Sequence, residues 1–225
     1  MTVTITDIQQ AAQRIKPYAH RTPVLTNESL NEKVGAEVFL KCENFQKVGA
    51  FKFRGACNAV YSLSDDEAAS GVCTHSSGNH AQALALAAKI RGIPAYIVMP
   101  NNAPSVKKNA VDGYGGLITF CEPTLEARES MMERIRLDTS ANVVHPYNDE
   151  RVISGQGTAA LELLEDVPDL DVIIAPVGGG GLLSGTAIAA TELKKGIRVI
   201  AGEPEMADDA FRSMKAGKII PSQNP

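Results

Sequence analysis

The feature that most constrains this chain is a repeated alternation of short apolar runs with segments of helical periodicity, joined by turns that contain glycine. Alternation of this kind is typical of an α/β protein whose sheets are largely parallel. The predicted strands are residues 37–42, 71–75, 95–100, 117–122, 142–146, 171–177 and 197–203, and the predicted helices are residues 6–15, 55–63, 80–91, 105–113, 125–138, 156–165 and 182–193.

The alternation is most regular in the middle of the chain, which predicts a compact small domain over residues 74–147. The flanking segments, residues 1–73 and 148–225, are expected to build a second sheet in a larger domain. The last letters, GKIIPSQNP, follow a helical segment without a further strand or helix. We therefore expect the larger domain to be incomplete at its C-terminal end.

Composition limits the kind of partner. The 225 residues are 44% hydrophobic and 21% charged, with a net charge of −4, which gives no electrostatic reason to expect nucleic acid or a membrane surface. The first residues lack a signal-peptide pattern, and no apolar run approaches the roughly 18 residues of a membrane span. The chain is therefore predicted to be cytoplasmic and to act on small molecules.

Cysteine and histidine spacing predicts neither a structural metal site nor a disulfide framework. The four cysteines are far apart, with no CxxC pair, and are expected to be buried thiols. His75 and His80 are five residues apart, not the four that would align them on one helix face.

The stretch VGAFKFRGACN places Lys52 between Phe51 and Phe53. An apolar collar disfavours the charged form of an amine and lowers its pKa, which would prepare the lysine for covalent chemistry. The alternative is that the lysine extends to solvent between two core phenylalanines. The stretch alone does not decide between them.

The stretch THSSGNH follows a predicted strand and opens a predicted helix. Ser76, Ser77 and Asn79 therefore lie at the positive end of a helix dipole, where anions bind. The alternative is that one of these side chains only caps the helix.

The stretch PVGGGGLLSG is a second turn from strand to helix, and residues 178–181 are four consecutive glycines. Their backbone N–H groups can surround a phosphate without interference from side chains. A dinucleotide site is the competing interpretation, because Glu203 ends the next strand about 20 residues on, as a ribose-binding acid would. The glycine spacing does not fit G-x-G-x-x-G, and no Walker lysine is present, so a monophosphate is favoured.

Together, a lysine in an apolar collar, an anion-binding serine loop and a glycine cradle are what a protein needs to hold pyridoxal phosphate. The stretches FLKCENFQKVGAFKFRGACNAV, THSSGNHAQALALAAKIRGIPAYIVMP, ISGQGTAALELL, PVGGGGLLSG and GEPEMADDA also occur in one order in a known family. The chain resembles the fold-type II pyridoxal-phosphate enzymes, and within them the serine racemase and serine/threonine dehydratase family.

This resemblance implies two open, mostly parallel twisted sheets flanked by helices. It implies that Lys52 carries the cofactor and removes the substrate α-proton from one face, and that Ser77 is the acid or base on the other face. The implied products from serine are the racemised amino acid, or pyruvate and ammonia after elimination. Dehydration of threonine or 3-hydroxyaspartate is the implied alternative activity. The implied cofactor contacts are Phe51, Asn79, Gly178, Gly179, Gly180, Gly181 and Leu182.

The resemblance also implies further binding sites and a homodimer. The substrate carboxylate would be bound by Ser76, Ser77, Asn79 and His80, with Arg128 reaching the substrate from the small domain, although Arg128 reads equally well as an exposed helix arginine. Mg2+ or Ca2+ would be held by Glu203, Asp209 and the carbonyl of Ala207, since hard cations prefer oxygen ligands. ATP as an activator would contact Lys47, Gln82 and Tyr114.

The chain departs from the family at its C-terminus, because the family continues well beyond residue 225 with an IADG-like segment and a late SGGN loop. Neither segment occurs here. The expectation is therefore a truncated chain with impaired activity. A non-catalytic nucleotide-binding or anion-binding module is the alternative from another functional class.

Overall fold

A computed structural model describes residues 2–222 and has helices and strands in alternation. Residues 223–225, the end of the GKIIPSQNP stretch, lie outside the described part. The helices are α1 (Ile5–Ile15), α2 (Glu28–Val34), α3 (Lys52–Tyr61), α4 (Asp65–Ala69), α5 (Asn79–Arg91), α6 (Ser105–Gly113), α7 (Leu125–Thr139), α8 (Glu150–Asp166), α9 (Gly181–Leu193) and α10 (Asp209–Ala216), with short 3-10 helices at Glu43–Phe45 and Lys47–Gly49. The strands are β1 (Val24–Thr26), β2 (Phe39–Lys41), β3 (Val72–His75), β4 (Ala95–Pro100), β5 (Leu117–Cys121), β6 (Asn142–Val143), β7 (Val172–Pro176) and β8 (Arg198–Gly202).

The middle of the chain forms a four-stranded parallel sheet in the order β5-β4-β3-β6. Its register pairs Val72 with Ala95 and with Asn142 on either side. Residues of β3 and β4 are almost all buried, as expected for central strands of a parallel sheet that helices cover. The predicted α/β class with parallel sheets is confirmed, whereas the boundaries 1–73, 74–147 and 148–225 stay a prediction.

The flanking strands form two separate pairs in the described residues. β7 and β8 are parallel, as predicted, but β1 and β2 pair antiparallel. The sequence analysis missed β1 because its three residues, of which two are exposed, are too short to show an alternating pattern. The expected second sheet is therefore found as two pieces.

Several predicted boundaries were wrong. Helix α8 begins at Glu150, six residues before the predicted start, because the Asp149 side chain accepts the Arg151 N–H and caps the first turn. Helix α3 begins at Lys52 instead of residue 55, and β6 stops at Val143 instead of continuing to residue 146. Helices α2 and α4 were missed, because each has only seven or five residues.

Helix α8 lies at the centre of the fold and packs against α1, α3 and α9. A Cβ on Gly155 would lie 2.6 Å from the Arg54 carbonyl oxygen, and one on Gly185 would lie 2.5 Å from the Ile153 carbonyl oxygen. Only glycine permits backbones to approach so closely. Helix α8 therefore fixes the spacing between α3, which begins with Lys52, and α9, which follows the four-glycine turn.

The four cysteines are free thiols, of which Cys57 and Cys73 are buried as predicted, whereas Cys42 and Cys121 are only half-buried. Within residues 2–222, no helix is both long enough and apolar enough to cross a membrane.

Candidate active site

Lys52 is the first residue of α3 and is half-buried. Its ammonium donates a hydrogen bond to the Pro146 carbonyl oxygen at 2.7 Å and lies 5.4 Å from the centre of the Phe51 ring. Burial lowers the pKa of Lys52 to about 8, so that a large share of this side chain is an unprotonated amine at mildly alkaline pH.

The expected collar is only partly correct. Phe51 contacts the Lys52 ammonium, but Phe53 is fully buried in the core and its ring lies 5.4 Å from the Lys47 ammonium. Successive helical residues point about 100° apart, so residues two positions apart point about 200° apart and the two phenylalanines do not face the same side. The low pKa of Lys52 therefore comes from burial with Phe51 on one side.

The serine loop connects β3 with α5. Ser76 and Ser77 lie between the two elements, Gly78 occupies the N-cap position and Asn79 is the first helical residue. Ser76 Oγ accepts the N–H of Gly78 at 3.3 Å, but no side chain of the described residues caps the first turn of α5. Its first backbone N–H groups therefore lie at the positive end of an uncapped helix.

His80 lies in the first turn of α5 and is buried. Its Nε2 is 3.1 Å from the Val144 carbonyl oxygen, and since a carbonyl only accepts, Nε2 carries the hydrogen. The Nδ1 atom has no hydrogen-bond partner among residues 2–222. Burial, and then the charge of Lys52, lower the pKa of His80 to about 3, so His80 is neutral and close to Lys52.

The glycine loop follows β7 and leads into α9, which begins at Gly181 and Leu182. Gly180 has φ of +86°, which a glycine adopts without strain. A Cβ on Gly179 would lie 2.1 Å from ring atoms of Tyr147, whereas a Cβ on Gly178 would meet nothing within 4 Å. Gly178 therefore leaves an open surface, and Gly179 is required by a tyrosine that the sequence analysis did not consider.

A single stretch, residues 144–147, contacts all three loops of the site. The Val144 carbonyl binds His80, the Pro146 carbonyl binds Lys52 and the Tyr147 ring covers Gly179. Sequence reasoning assigned part of this stretch to a strand and gave it no role. The position of this stretch in the sequence could have indicated a functional role. It follows β6, which is a parallel neighbour of β3, and functional loops are found at the carboxyl ends of parallel strands.

His145, within the same stretch, is held in one orientation. Its Nδ1 accepts the backbone N–H groups of Tyr147 and Asn148 at 3.3 and 2.9 Å, and its ring lies edge-on to those of Tyr147 and His75. Burial, and then the neighbouring His75, lower the pKa of His145. His145 is therefore a neutral ring beside the site at neutral pH.

Phe51 and Leu182 both line an open groove of about 350 Å³, whose other walls come from α8, β7 and residues 41–44. Arg128 lies on α7, where its Nε donates to the Thr124 carbonyl at 3.2 Å, and its charge helps burial to lower the pKa of His75. The charge of Arg128 therefore acts on His75, the last residue of β3, which directly precedes the serine loop.

The residues predicted to bind ATP and those predicted to bind a metal lie in other elements of the fold. Lys47 lies in the 3-10 helix that packs against α5, Gln82 lies on α5, and Tyr114 follows α6, which also packs against α5. Both carboxylate oxygens of Glu203 accept backbone N–H groups at 2.9 Å, from Ala210 and Phe211.

Ala207 lies in a turn, with its N–H donating to Pro204, and Asp209 begins α10. Within residues 2–222, no three histidine, cysteine, aspartate or glutamate residues are placed to hold a metal. The predicted set has two carboxylates and one carbonyl and is not such a group.

The residues present fit pyridoxal phosphate. The fit rests on a half-buried amine of lowered pKa, an aromatic ring beside it, an uncapped helix N-terminus and a glycine turn with an open surface. The family model described as "Pyridoxal-phosphate dependent enzyme" matches residues 15–225. The chain belongs to this family.

Relatives in the family extend beyond the matched part. A serine racemase of Arabidopsis thaliana is 58% identical over 96% of this chain, which spans 65% of that protein. A beta-hydroxyaspartate dehydratase of Paracoccus denitrificans is 55% identical over 99% of this chain, which spans 70% of it. The crystal structure of a serine racemase from Dictyostelium discoideum superposes with a TM-score of 0.95 at 55% identity, covering 98% of this chain and 72% of that one. The fold-type II architecture predicted from the sequence is confirmed.

Proposed function

We propose that this chain acts on hydroxy amino acids with pyridoxal phosphate bound at Lys52, and that it racemises serine and converts it to pyruvate and ammonia. The observation that carries the proposal is the Lys52 side chain, whose pKa is lowered to about 8 by burial and whose Nζ is held by the Pro146 carbonyl. An amine must be unprotonated to attack an aldehyde, and burial favours that form.

The residues around Lys52 would hold the cofactor. Phe51 offers a ring face, Asn79 offers an exposed amide at the start of α5, and residues 178–182 offer backbone N–H groups at the start of α9. When bound, pyridoxal phosphate withdraws electrons from the substrate α-carbon and so makes the α-proton removable.

Proton transfer then falls to two side chains of this chain. Lys52 Nζ takes the α-proton from one face of the substrate, and Ser77 Oγ returns a proton to the other face, which inverts the α-carbon. In elimination the same α-proton is removed and the β-hydroxyl leaves as water. The product hydrolyses to pyruvate and ammonia, so that serine is converted without any other reactant.

A second candidate activity is dehydration of 3-hydroxyaspartate. Two observations favour it: the 55% identity to a beta-hydroxyaspartate dehydratase, and the charge of Arg128 beside His75, which could balance a second substrate carboxylate. Threonine dehydration belongs to the same proposal, since threonine also carries a β-hydroxyl.

The test is a chiral assay with L-serine that follows D-serine and pyruvate together, and 3-hydroxyaspartate is supplied in a parallel assay. Ser77→Ala should lose D-serine formation at least about 100-fold while pyruvate formation falls much less, and Ser76→Ala in the same loop is the matched control. Equal losses in both variants would contradict the assigned role of Ser77.

Attachment of the cofactor is tested separately. Borohydride reduction followed by peptide mapping should place the phosphopyridoxyl group on Lys52. Labelling at another lysine would refute the central assignment. Affinity for nucleotides without any cofactor absorbance would instead support a non-catalytic binding module.

Further parts of the proposal rest on the family resemblance. They are Mg2+ or Ca2+ at Glu203, Ala207 and Asp209, ATP at Lys47, Gln82 and Tyr114, a homodimer, and a cytoplasmic protein that binds neither nucleic acid nor membrane. Glu203 would have to release its two backbone N–H partners to bind a cation. Dependence of the assay on Mg2+ and ATP, and sedimentation of the purified chain, test these parts.

A further inference from the structure

Lys107 lies against the serine loop, although nothing in the sequence connects it with that loop. It is in the first turn of α6, and its side chain is half-buried. Its Nζ lies 3.9 Å from the point where a Cβ on Gly78 would be, and no other atom of the described residues outside 77–79 comes within 4 Å of that point. Gly78 is the N-cap of α5, so the ammonium lies beside the start of this helix.

The Lys107 ammonium has neither a hydrogen bond nor an ion pair among residues 2–222. The adjacent lysine on α6 does have partners. The Lys108 ammonium donates to the Asn101 carbonyl at 2.6 Å and lies 5.1 Å from the centre of the Phe120 ring. The Lys107 ammonium lies beside the positive end of α5, where an unpaired positive charge is unfavourable. Two positive features therefore converge, and no carboxylate of residues 2–222 pairs with this ammonium.

Buried polar atoms on both sides of the loop also lack partners. Thr74 Oγ1, at the end of β3, and His80 Nδ1, in the first turn of α5, belong to side chains that are 0% and 2% exposed, and neither has a hydrogen bond among the described residues. Unpaired polar atoms at such depth are rare in folded proteins. The region is therefore built around polar groups whose bonding capacity the protein itself does not use.

We propose that Lys107 is a substrate-binding residue that donates to the carboxylate of the amino-acid substrate held by residues 76–79. The inference rests on the proposed function, in which the reaction brings two anionic groups into the site. The cofactor phosphate is assigned to the glycine loop at the start of α9. The substrate carboxylate is the remaining anion, and it would lie between the Lys107 ammonium and the backbone N–H groups of the loop.

The experiment compares two small probes on the cofactor-loaded chain by isothermal titration calorimetry. The first is α-methyl-L-serine, which has the substrate carboxylate but no α-proton, so it binds without turnover. The second is 2-aminopropan-1-ol, which keeps the amine and the hydroxyl but lacks the carboxylate. Lys107→Gln is compared with Lys108→Gln, which removes the same charge from the adjacent position.

Lys107→Gln should weaken binding of α-methyl-L-serine about 10-fold to 100-fold, the usual effect of losing a hydrogen bond to a charged group. The same variant should bind 2-aminopropan-1-ol as the unmodified chain does, and Lys107→Arg should recover part of the lost affinity. Lys108→Gln should change neither affinity.

Unchanged binding of α-methyl-L-serine by Lys107→Gln would overturn the proposal. An equal loss in Lys108→Gln, or an equal loss for both probes, would also overturn it, because the effect would then be general or independent of the carboxylate. Failure of the unmodified chain to take up pyridoxal phosphate would instead count against the proposed function. The cofactor absorbance of each variant shows whether it has folded and loaded.

Discussion

Replacing Arg54 tests whether a buried ionic cluster supports the start of α3. Arg54 has no exposed surface. Its guanidinium donates four hydrogen bonds of 2.8 Å, two to Glu43 and two to Glu162, and one of 3.1 Å to Thr158. Lys41 also pairs with Glu162 at 2.7 Å. The cluster ties the segment before Lys52 to α8, so Arg54→Met should destabilise the chain and loosen the position of Lys52.

The size of the loss in free energy of unfolding depends on which partners Glu43 and Glu162 keep after Arg54→Met. Four charge-assisted hydrogen bonds of about 1.5–3 kcal/mol each would sum to about 6–12 kcal/mol. Part of that is offset, because Lys41 still neutralises Glu162 and Glu43 still accepts the Thr22 hydroxyl at 2.6 Å. Breaking a buried pair typically costs about 3–5 kcal/mol, and we expect Arg54→Met to lower the free energy of unfolding by that amount.

The assay is urea denaturation followed by circular dichroism, since the chain has no tryptophan. Arg21→Met is the matched control, because Arg21 also pairs with two carboxylates, Glu165 and Asp166, but is half exposed. Its loss should cost less than about 1 kcal/mol. Similar costs for both variants would refute the reasoning, since burial is what separates them.

The effect of Arg54→Met should also depend on pH. Burial alone would raise the pKa of Glu162, but the hydrogen bonds and charges of Arg54 and Lys41 outweigh it and hold that pKa below its ordinary value. A carboxylate of lowered pKa contributes stability above its unfolded pKa and loses it as the pH falls. The difference between Arg54→Met and the unmodified chain should therefore shrink below about pH 4, and a constant difference would contradict this account.

Three further changes have defined outcomes. The pKa of Lys52 is lowered from 10.5 to about 8, so between pH 8 and pH 10.5 the unfolded chain binds more protons than the folded chain, and the free energy of unfolding should rise with pH. Lys52→Met should remove this rise. At pH 7 the variant should be more stable than the unmodified chain by about 1–3 kcal/mol in urea denaturation. Gly179→Ala should be strongly destabilising alone and nearly neutral in a Tyr147→Ala background, measured as a double-mutant cycle by thermal denaturation. Because burial lowers the pKa of His80 from 6.5 to about 3, stability should fall as the pH drops through that range, and His80→Gln, which can still donate to the Val144 carbonyl, should flatten this slope in acid titration by circular dichroism.

The parts of the fold that the sequence predicted are those whose pattern is local. Strand β4 at Ala95–Pro100 and helix α6 at Ser105–Gly113 were predicted to the residue, because one is a continuous apolar run and the other has a clear helical period. Strand β1 was missed because three residues carry no period. The early start of α8 depended on the Asp149 cap, which the apolar pattern does not show.

The sequence predicted three separate loops for the site, but it did not predict that residues 144–147 contact all three. Lys52 and its partner Pro146 are 94 positions apart. Every residue has a backbone carbonyl, so the residue type does not show which carbonyl accepts the hydrogen bond. Lys107 was not predicted as a site residue for a similar reason. A lysine in the first turn of a helix is usually a surface residue, and its neighbours in space cannot be inferred from its type. Residue type was therefore enough to assign chemical roles to these groups as predictions, whereas the groups that contact them became visible only in the folded chain.

The four-glycine turn has more than one structural reason for its glycines. All four glycines were assigned to a phosphate cradle, yet a Cβ on Gly179 would meet the Tyr147 ring and a Cβ on Gly181 would lie 3.0 Å from the Tyr147 carbonyl oxygen. Gly180 has a positive φ, so Gly178 is the position that combines open space with a φ outside the left-handed region. The turn is thus shaped as much by its own packing as by the anion assigned to it. Because Tyr147 follows the carbonyl that binds Lys52, the same stretch sets both the glycine loop and the amine. A change at Tyr147 should therefore disturb the glycine loop and the position of Lys52 together.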